Sequence, residues 1–159
     1  MLIRLAGSDD IDTIADVFLA SFAGLTFLPR LHTDTETRRW IRTEMVPRHE
    51  VWVAEEDGEI VGFAALSGDL LGHLYVHPDA QGRGVGTALL GLVKEERPSG
   101  FRLWTFQRNE GARRFYERNG LDVIELTDGS GNEEKEPDAL YAWRRPEFAS
   151  ANSGRAKYP

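Results

Sequence analysis

Apolar residues along this 159-residue chain recur in two rhythms. Ile11, Ile14, Ala15, Phe18, Leu19 and Phe22 follow one another in steps that place them on one face of a helix. Ser8-Asp9-Asp10 ahead of them supplies an N-cap and an acidic first turn, and Gly24 a stop. Thr33-Asp34 caps a second helix through Arg38, Trp40, Ile41 and Met45, which Pro47 is predicted to end. The rhythm then shortens. Leu2–Leu5, Val51–Ala54, Ile60–Leu66, Leu70–His77, Phe101–Phe106, Leu121–Leu126 and Ala139–Trp143 read as strands, with Glu56-Asp57-Gly58-Glu59 as a hairpin turn. Two more helices are predicted, from Gly84 to Glu96 and from Asn109 to Asn119, the first broken by Pro98-Ser99-Gly100 and the second closed by Gly120. Residues 127–138, rich in Gly, Asn, Glu and Asp, read as an exposed loop, and residues 146–159 as a frayed tail. No repeat or linker divides the rest, so residues 1–145 form one expected domain.

Composition changes this picture by exclusion. Hydrophobic content of 41% and aromatic content of 10% are those of a globular domain with an ordinary core. A net charge of −7 argues against a general nucleic-acid binder and permits a cationic substrate. The absence of Cys excludes disulfides, thiolate metal sites and Cys nucleophiles. His32, His49, His73 and His77 have no zinc-like spacing, so no metal is expected. The N-terminus lacks the apolar core of a secretory signal, and no run approaches a membrane span, so a cytoplasmic location with no membrane partner is the expectation.

Candidate chemistry concentrates between His73 and Leu90, a strand, a glycine-rich turn and the start of a helix. Gly82, Gly84 and Gly86 bare the backbone where the helix points its positive end, which suits a phosphate or pyrophosphate. A chain reversal alone needs fewer glycines. The dinucleotide fingerprint Gly-x-Gly-x-x-Gly does not fit this spacing, and Thr87-Ala88 stand where a P-loop needs Lys and then Ser or Thr. Both mismatches count against a nucleotide-binding α/β domain.

Gln81-Gly82-Arg83-Gly84-Val85-Gly86 does match Gln/Arg-x-x-Gly-x-Gly/Ala, the acetyl-CoA signature of the GNAT superfamily of N-acetyltransferases, with Val76-His77-Pro78 typical ahead of it. Asn109, Ala112, Phe115-Tyr116, Gly120 and Leu121 resemble that family's second hallmark segment. The element order over residues 1–145 is also that of a GNAT domain. The resemblance implies an α/β (α+β) fold: a mixed sheet of six to seven strands flanked by four helices, with two splayed central strands between which acetyl-CoA lies.

It implies roles as well. Leu74, Val76, Gln81, Gly82, Arg83, Gly84, Val85, Gly86, Thr87, Asn109 and Tyr116 would bind acetyl-CoA. The Val76 backbone N–H would polarise the thioester carbonyl, and Tyr116 would protonate the departing sulfur. Arg83 is either a phosphate partner or a solvated turn residue. Phe115, Phe22, Phe27 and Trp40 read as core, His77 as structural, and Tyr75 as a lining of the acceptor cleft. His73 alternates with Leu74 and Val76 and is the first candidate for the base that takes the amine proton, against a core-edge His with no such duty. Asp69, Glu55 and Glu56 are the alternatives. The implied reaction is direct acetyl transfer from acetyl-CoA to the primary amine of a small molecule or peptide. The rival is a non-catalytic acyl-CoA-binding module, which Tyr116 together with Asn109 disfavours. The sequence leaves the acceptor, the acyl chain and the oligomeric state open, homodimers being common in the family.

Overall fold

The computed structural model describes residues 1–144, so the tail expected over 146–159 lies outside the described residues. The elements run β1 (Leu2–Leu5), α1 (Ile11–Phe22), α2 (Asp34–Trp40), a wide turn (Ile41–Met45), α3 (Val46–Arg48), β2 (Glu50–Glu56), β3 (Glu59–Ser67), β4 (Leu70–Val76), α4 (Val85–Glu96), β5 (Phe101–Phe106), α5 (Glu110–Arg118), β6 (Asp122–Leu126) and β7 (Asp138–Trp143). The strands form one sheet in the order β1-β2-β3-β4-β5-β7-β6. Every neighbouring pair is antiparallel except β4–β5, so the sheet is mixed as expected and has seven strands.

Strand alternation splits the core between the two faces. Phe63 and Ala65 of β3 join Ile14, Phe18, Ile41 and Met45 on the α1–α2 face. Ala64 and Leu66 join Leu89, Leu90 and Val93 of α4 on the other, with Leu103, Phe101 and Tyr141. Each fully buried Leu or Phe contributes about 1.5–3 kcal/mol over an exposed one. The β2–β3 hairpin turns at Asp57 and Gly58, both with positive φ (52° and 80°), the two-residue turn that suits the strand twist.

Three expectations need correction. Residues 8–10 form a tight turn rather than an N-cap at Ser8, and the Asp10 carboxylate accepts the Gly7 N–H at 2.7 Å while Arg4 holds it at 2.7 and 3.0 Å. Pro47 does not end the second helix, which continues through α3 to Arg48. The turn before it widens, the Val46 N–H bonding to Ile41 O five residues back, which accommodates a ring that cannot sit against the carbonyl four residues earlier. Residues 127–138 are not simply exposed: Asn132, Glu136 and Asp138 are buried polar residues. No helix among the described residues is long and apolar enough to cross a membrane.

Candidate active site

β4 and β5 pair only at Leu70 and Arg102, where the Arg102 N–H also bonds to Asp69 O at 2.9 Å. Beyond that point the strands diverge around a cavity of about 680 Å³, a size that suits a cofactor. The register of β4 decides which backbone groups face it. The His77 N–H bonds to Val61 O at 2.8 Å, and Gly62 stands opposite Val76, so Val76 turns its N–H and C=O away from β3 and toward the gap. Its carbonyl accepts Ser21 Oγ at 2.9 Å and Gln81 Nε2 at 3.1 Å. The Val76 N–H shares that orientation. Leu74, two residues earlier, has the same orientation and lines the gap.

The turn from Val76 into α4 is shaped by main chain. Gly82 (φ 80°) and Gly84 (φ 85°) adopt left-handed conformations, and a Cβ on either would meet nothing within 4 Å. Backbone conformation therefore requires these two glycines, and the space a side chain would fill is left free. Gly86 is needed for another reason: its Cβ would come within 3.2 Å of the Phe115 ring. Gly84 takes the N-cap position of the 12-residue α4 without a capping side chain. The first-turn N–H groups are the positive end of the helix, and Gly84 to Thr87 line the gap. These residues fit a pyrophosphate. Arg83 points elsewhere: it pairs with Glu56 at 3.1 Å, its side chain is 56% exposed, and it does not line the gap.

α5 forms the opposite wall. Asn109 Oδ1 accepts the Ala112 N–H at 3.2 Å, so the expected cap is present. Tyr116 is buried and lines the gap, its ring 5.3 Å from Phe115 and 6.0 Å from Tyr141. Burial pushes its phenol well above the ordinary tyrosine value, so the group stays protonated and able to donate. Phe115 combines its core role with support of the glycine turn.

His73 touches the same cavity but is only 3% exposed. Rings surround it: Trp40 and His49 at 5.6 Å, Phe18 at 6.1 Å and Tyr75 at 6.3 Å between centroids. Tyr75 lines the cavity as expected, and burial, then the nearby Tyr116 and Glu134, raise its phenol above the ordinary range. The alternative bases lie outside the lining. Asp69 meets Arg102 at 3.3 Å, Glu55 meets Arg4 at 2.6 Å, and Glu56 meets Arg83. His77 Nδ1 accepts the Asp79 N–H at 3.1 Å and is structural. Phe22 and Trp40 pack on Phe18, and Phe27 packs on Phe106 beneath the Arg108 guanidinium.

Sequence reasoning missed the segment 127–138, which closes this end of the cavity. Asn132 Nδ2 donates to Glu136 O at 2.7 Å and to Asp138 at 3.1 Å, and Thr127 Oγ1 bonds to Asp138. Gln107 Nε2 donates to Thr127 O at 2.9 Å and Asp138 O at 3.0 Å. Arg108 pairs with Glu136 at 2.7 Å and donates to Phe27 O at 3.4 Å, clipping the segment to the α1–α2 connection. That pairing holds the Glu136 carboxyl below its usual range. Glu134, half-buried, lines the cavity, and burial raises its carboxyl above the usual range. Only the turn formers Gly129, Asn132 and Pro137 hinted at order here. Among the described residues, no group of three or more His, Cys, Asp or Glu is placed to hold a metal ion.

The model of the acetyltransferase (GNAT) domain matches residues 47–120. The chain is 31% identical over 150 residues to an uncharacterised N-acetyltransferase of Archaeoglobus fulgidus, covering 84% of this chain and all of that one. It is 33% identical over 86 residues to the peptidyl-lysine N-acetyltransferase YiaC of Escherichia coli, a match to 54% of this chain that spans 58% of that relative's length. The solution structure of apo-form YjaB from Escherichia coli superposes with a TM-score of 0.74 at 25% identity, over 89% of this chain and 96% of that one.

Proposed function

The chain belongs to the GNAT acetyltransferase family, and from that premise we propose that it transfers an acetyl group from acetyl-CoA to a primary amine of a small molecule or peptide by direct attack in a ternary complex. One observation carries the proposal: the divergence of β4 and β5 puts the glycine turn, the Val76 N–H and the Tyr116 phenol on one cavity. The likeness to a peptidyl-lysine acetyltransferase supports an amine as the nucleophile.

Acetyl-CoA brings an acyl carbon that exchanges a C–S bond for a C–N bond. The N–H groups of Gly82 to Thr87 bind the pyrophosphate through the open turn and the positive end of α4. Asn109, Leu74 and Val85 flank the pantetheine path. The Val76 N–H donates to the thioester oxygen, and the Ser21 and Gln81 contacts to Val76 O fix the peptide that follows it. Tyr116, whose buried phenol is protonated near neutrality, gives its proton to the departing sulfur. The attacking nitrogen loses a proton as the new bond forms. His73 accepts it through water, since the surrounding rings leave it little direct access. Arg83 is not assigned a phosphate because it is paired with Glu56.

The test is a panel of amines with acetyl-CoA, read by release of free CoA thiol and by the mass of the acylated amine. Turnover with at least one amine, lost in Tyr116→Phe, is the expected result. Tight CoA binding without transfer to any amine would replace the enzyme with the acyl-CoA-binding module.

A further inference from the structure

Glu134 has no part in the chemistry above, yet it lines the reaction cavity. It also lines a recess of about 20 Å³ formed with α1, residues 29–34 and Thr37 of α2. Such a recess has room for a water-sized group, ammonium included. None of the glycine-turn residues reaches it.

The neighbours of Glu134 are pinned outward. Glu133 pairs with His32 at 2.7 Å, and Lys135 Nζ donates to Ser130 O at 3.0 Å. Lys135 holds φ at 55°, a left-handed conformation that costs a non-glycine residue about 1 kcal/mol. Asn132 and Glu136 bracket the same turn, Asn132 Oδ1 accepting the Glu136 N–H at 3.1 Å. This arrangement leaves the Glu134 side chain directed at the cavity. Among the described residues no Lys, Arg or His lies within ion-pairing distance of its carboxylate. The groups facing it are Glu133 and Asp138 from its own segment and β7, His32 from the α1–α2 connection, and the Tyr75 phenol from β4. Arg30 and Asp34 line the recess with it.

We propose that Glu134 binds a positively charged group of the acceptor other than the nitrogen that is acylated, so that preferred acceptors carry two cationic centres. A half-buried carboxylate in no salt bridge, whose neighbour His32 is engaged by Glu133, is completed by a cation. The reacting nitrogen is the wrong cation, because an adjacent carboxylate stabilises the ammonium form, and that form cannot attack. A second cationic centre has no such conflict. Its interaction is equal in ground and transition states, so its loss appears in affinity rather than in kcat.

The inference rests on the acetyltransferase reading, and the experiment separates the two. The wild-type protein and Glu134→Gln, each saturated with CoA, are titrated calorimetrically with 1,4-diaminobutane and with butylamine. Wild type should bind the diamine about tenfold more tightly, the scale of one charge-assisted contact, and Glu134→Gln should erase that preference with CoA affinity unchanged. Equal binding of the two amines by wild type, or a preference that survives in Glu134→Gln, overturns the assignment. Diamine preference without acyl transfer to any amine would overturn the enzyme and leave Glu134 standing. Transfer with equal kcat/KM for butylamine and for the diamine would do the reverse.

Discussion

The two ends of the cavity are built from different material. At one end, Gly82 and Gly84 in left-handed conformations and the first turn of α4 present main-chain N–H groups. At the other, a polar segment is folded by side chains: Asn132, Asp138, Glu136 and Arg108 hold one another and position Glu134. Main-chain recognition needs residues of one type at one spacing, so it leaves a readable trace. Side-chain recognition needs partners that meet only after folding.

The largest effect should come from the main-chain end. Gly84→Glu places a charged side chain into the free space beside a left-handed backbone. CoA affinity should fall by more than about 100-fold, equivalent to about 2.7 kcal/mol, in a protein that still shows the parent circular dichroism spectrum. Unchanged affinity in calorimetric titration would remove the glycine turn from the site and break the contrast.

Tyr116→Phe tests the wall between the two ends. The ring still packs on Phe115 and Tyr141, so the fold should survive. With the preferred amine, kcat should fall about 100-fold or more while CoA affinity changes little. A kcat within about twofold of the parent would leave the sulfur to another donor.

Gly129→Ala sharpens the contrast by damaging the side-chain end alone. A Cβ at Gly129 (φ 84°) would fall 2.7 Å from Pro137 N and collide with the Glu136 carbonyl. Overpacking of this kind costs about 1–3 kcal/mol, which for a domain of this size lowers Tm by about 2–4 °C per kcal/mol. KM for the amine should rise while CoA affinity holds. Equal loss of both would show that the two ends are not separable.

The smallest effects concern two carboxylates in one segment. Arg108 lowers the Glu136 pKa, so this pair stabilises the fold at neutral pH and the gain is lost as pH falls through that lowered value. Burial raises the Glu134 pKa, so its charge opposes folding at neutral pH, and the penalty lifts as pH falls through the raised value. Glu136→Gln should lower Tm at pH 7 only slightly, since Arg108 is exposed. Glu134→Gln should raise it. Both differences should close on acidification, and like signs at pH 7 in thermal melts would refute the opposition.

The same division explains what was legible. The strands came within a residue or two of their sequence-based limits, because period-two alternation reflects burial on two faces. The glycine turn and the Asn109 cap followed from local pattern, whereas Tyr116 was singled out only through the family resemblance. Pro47 misled because a widened turn accommodates a proline that a regular helix would reject. Arg83 stayed open between two readings because its partner, Glu56, comes from a hairpin 27 positions earlier. Residues 127–138 misled most, since their acidic and amide side chains look solvated until Arg108, Gln107 and Asp138 are brought beside them.

The single register pair between β4 and β5 also has a mechanical consequence. The ladder is nearly cut there, and the core on the α4 face, which draws on both halves, remains as the hinge. β1–β4 and β5–β7 should therefore behave as two cooperative units in native-state hydrogen exchange, with the Leu74 and Val76 amides exchanging faster than those of Tyr75 and His77 beside them. A ligand seated in the gap acts as mortar between the units. At 100 times its Kd it adds about 2.7 kcal/mol to global stability, and the slowing of exchange should centre on the split rather than spread evenly through the sheet.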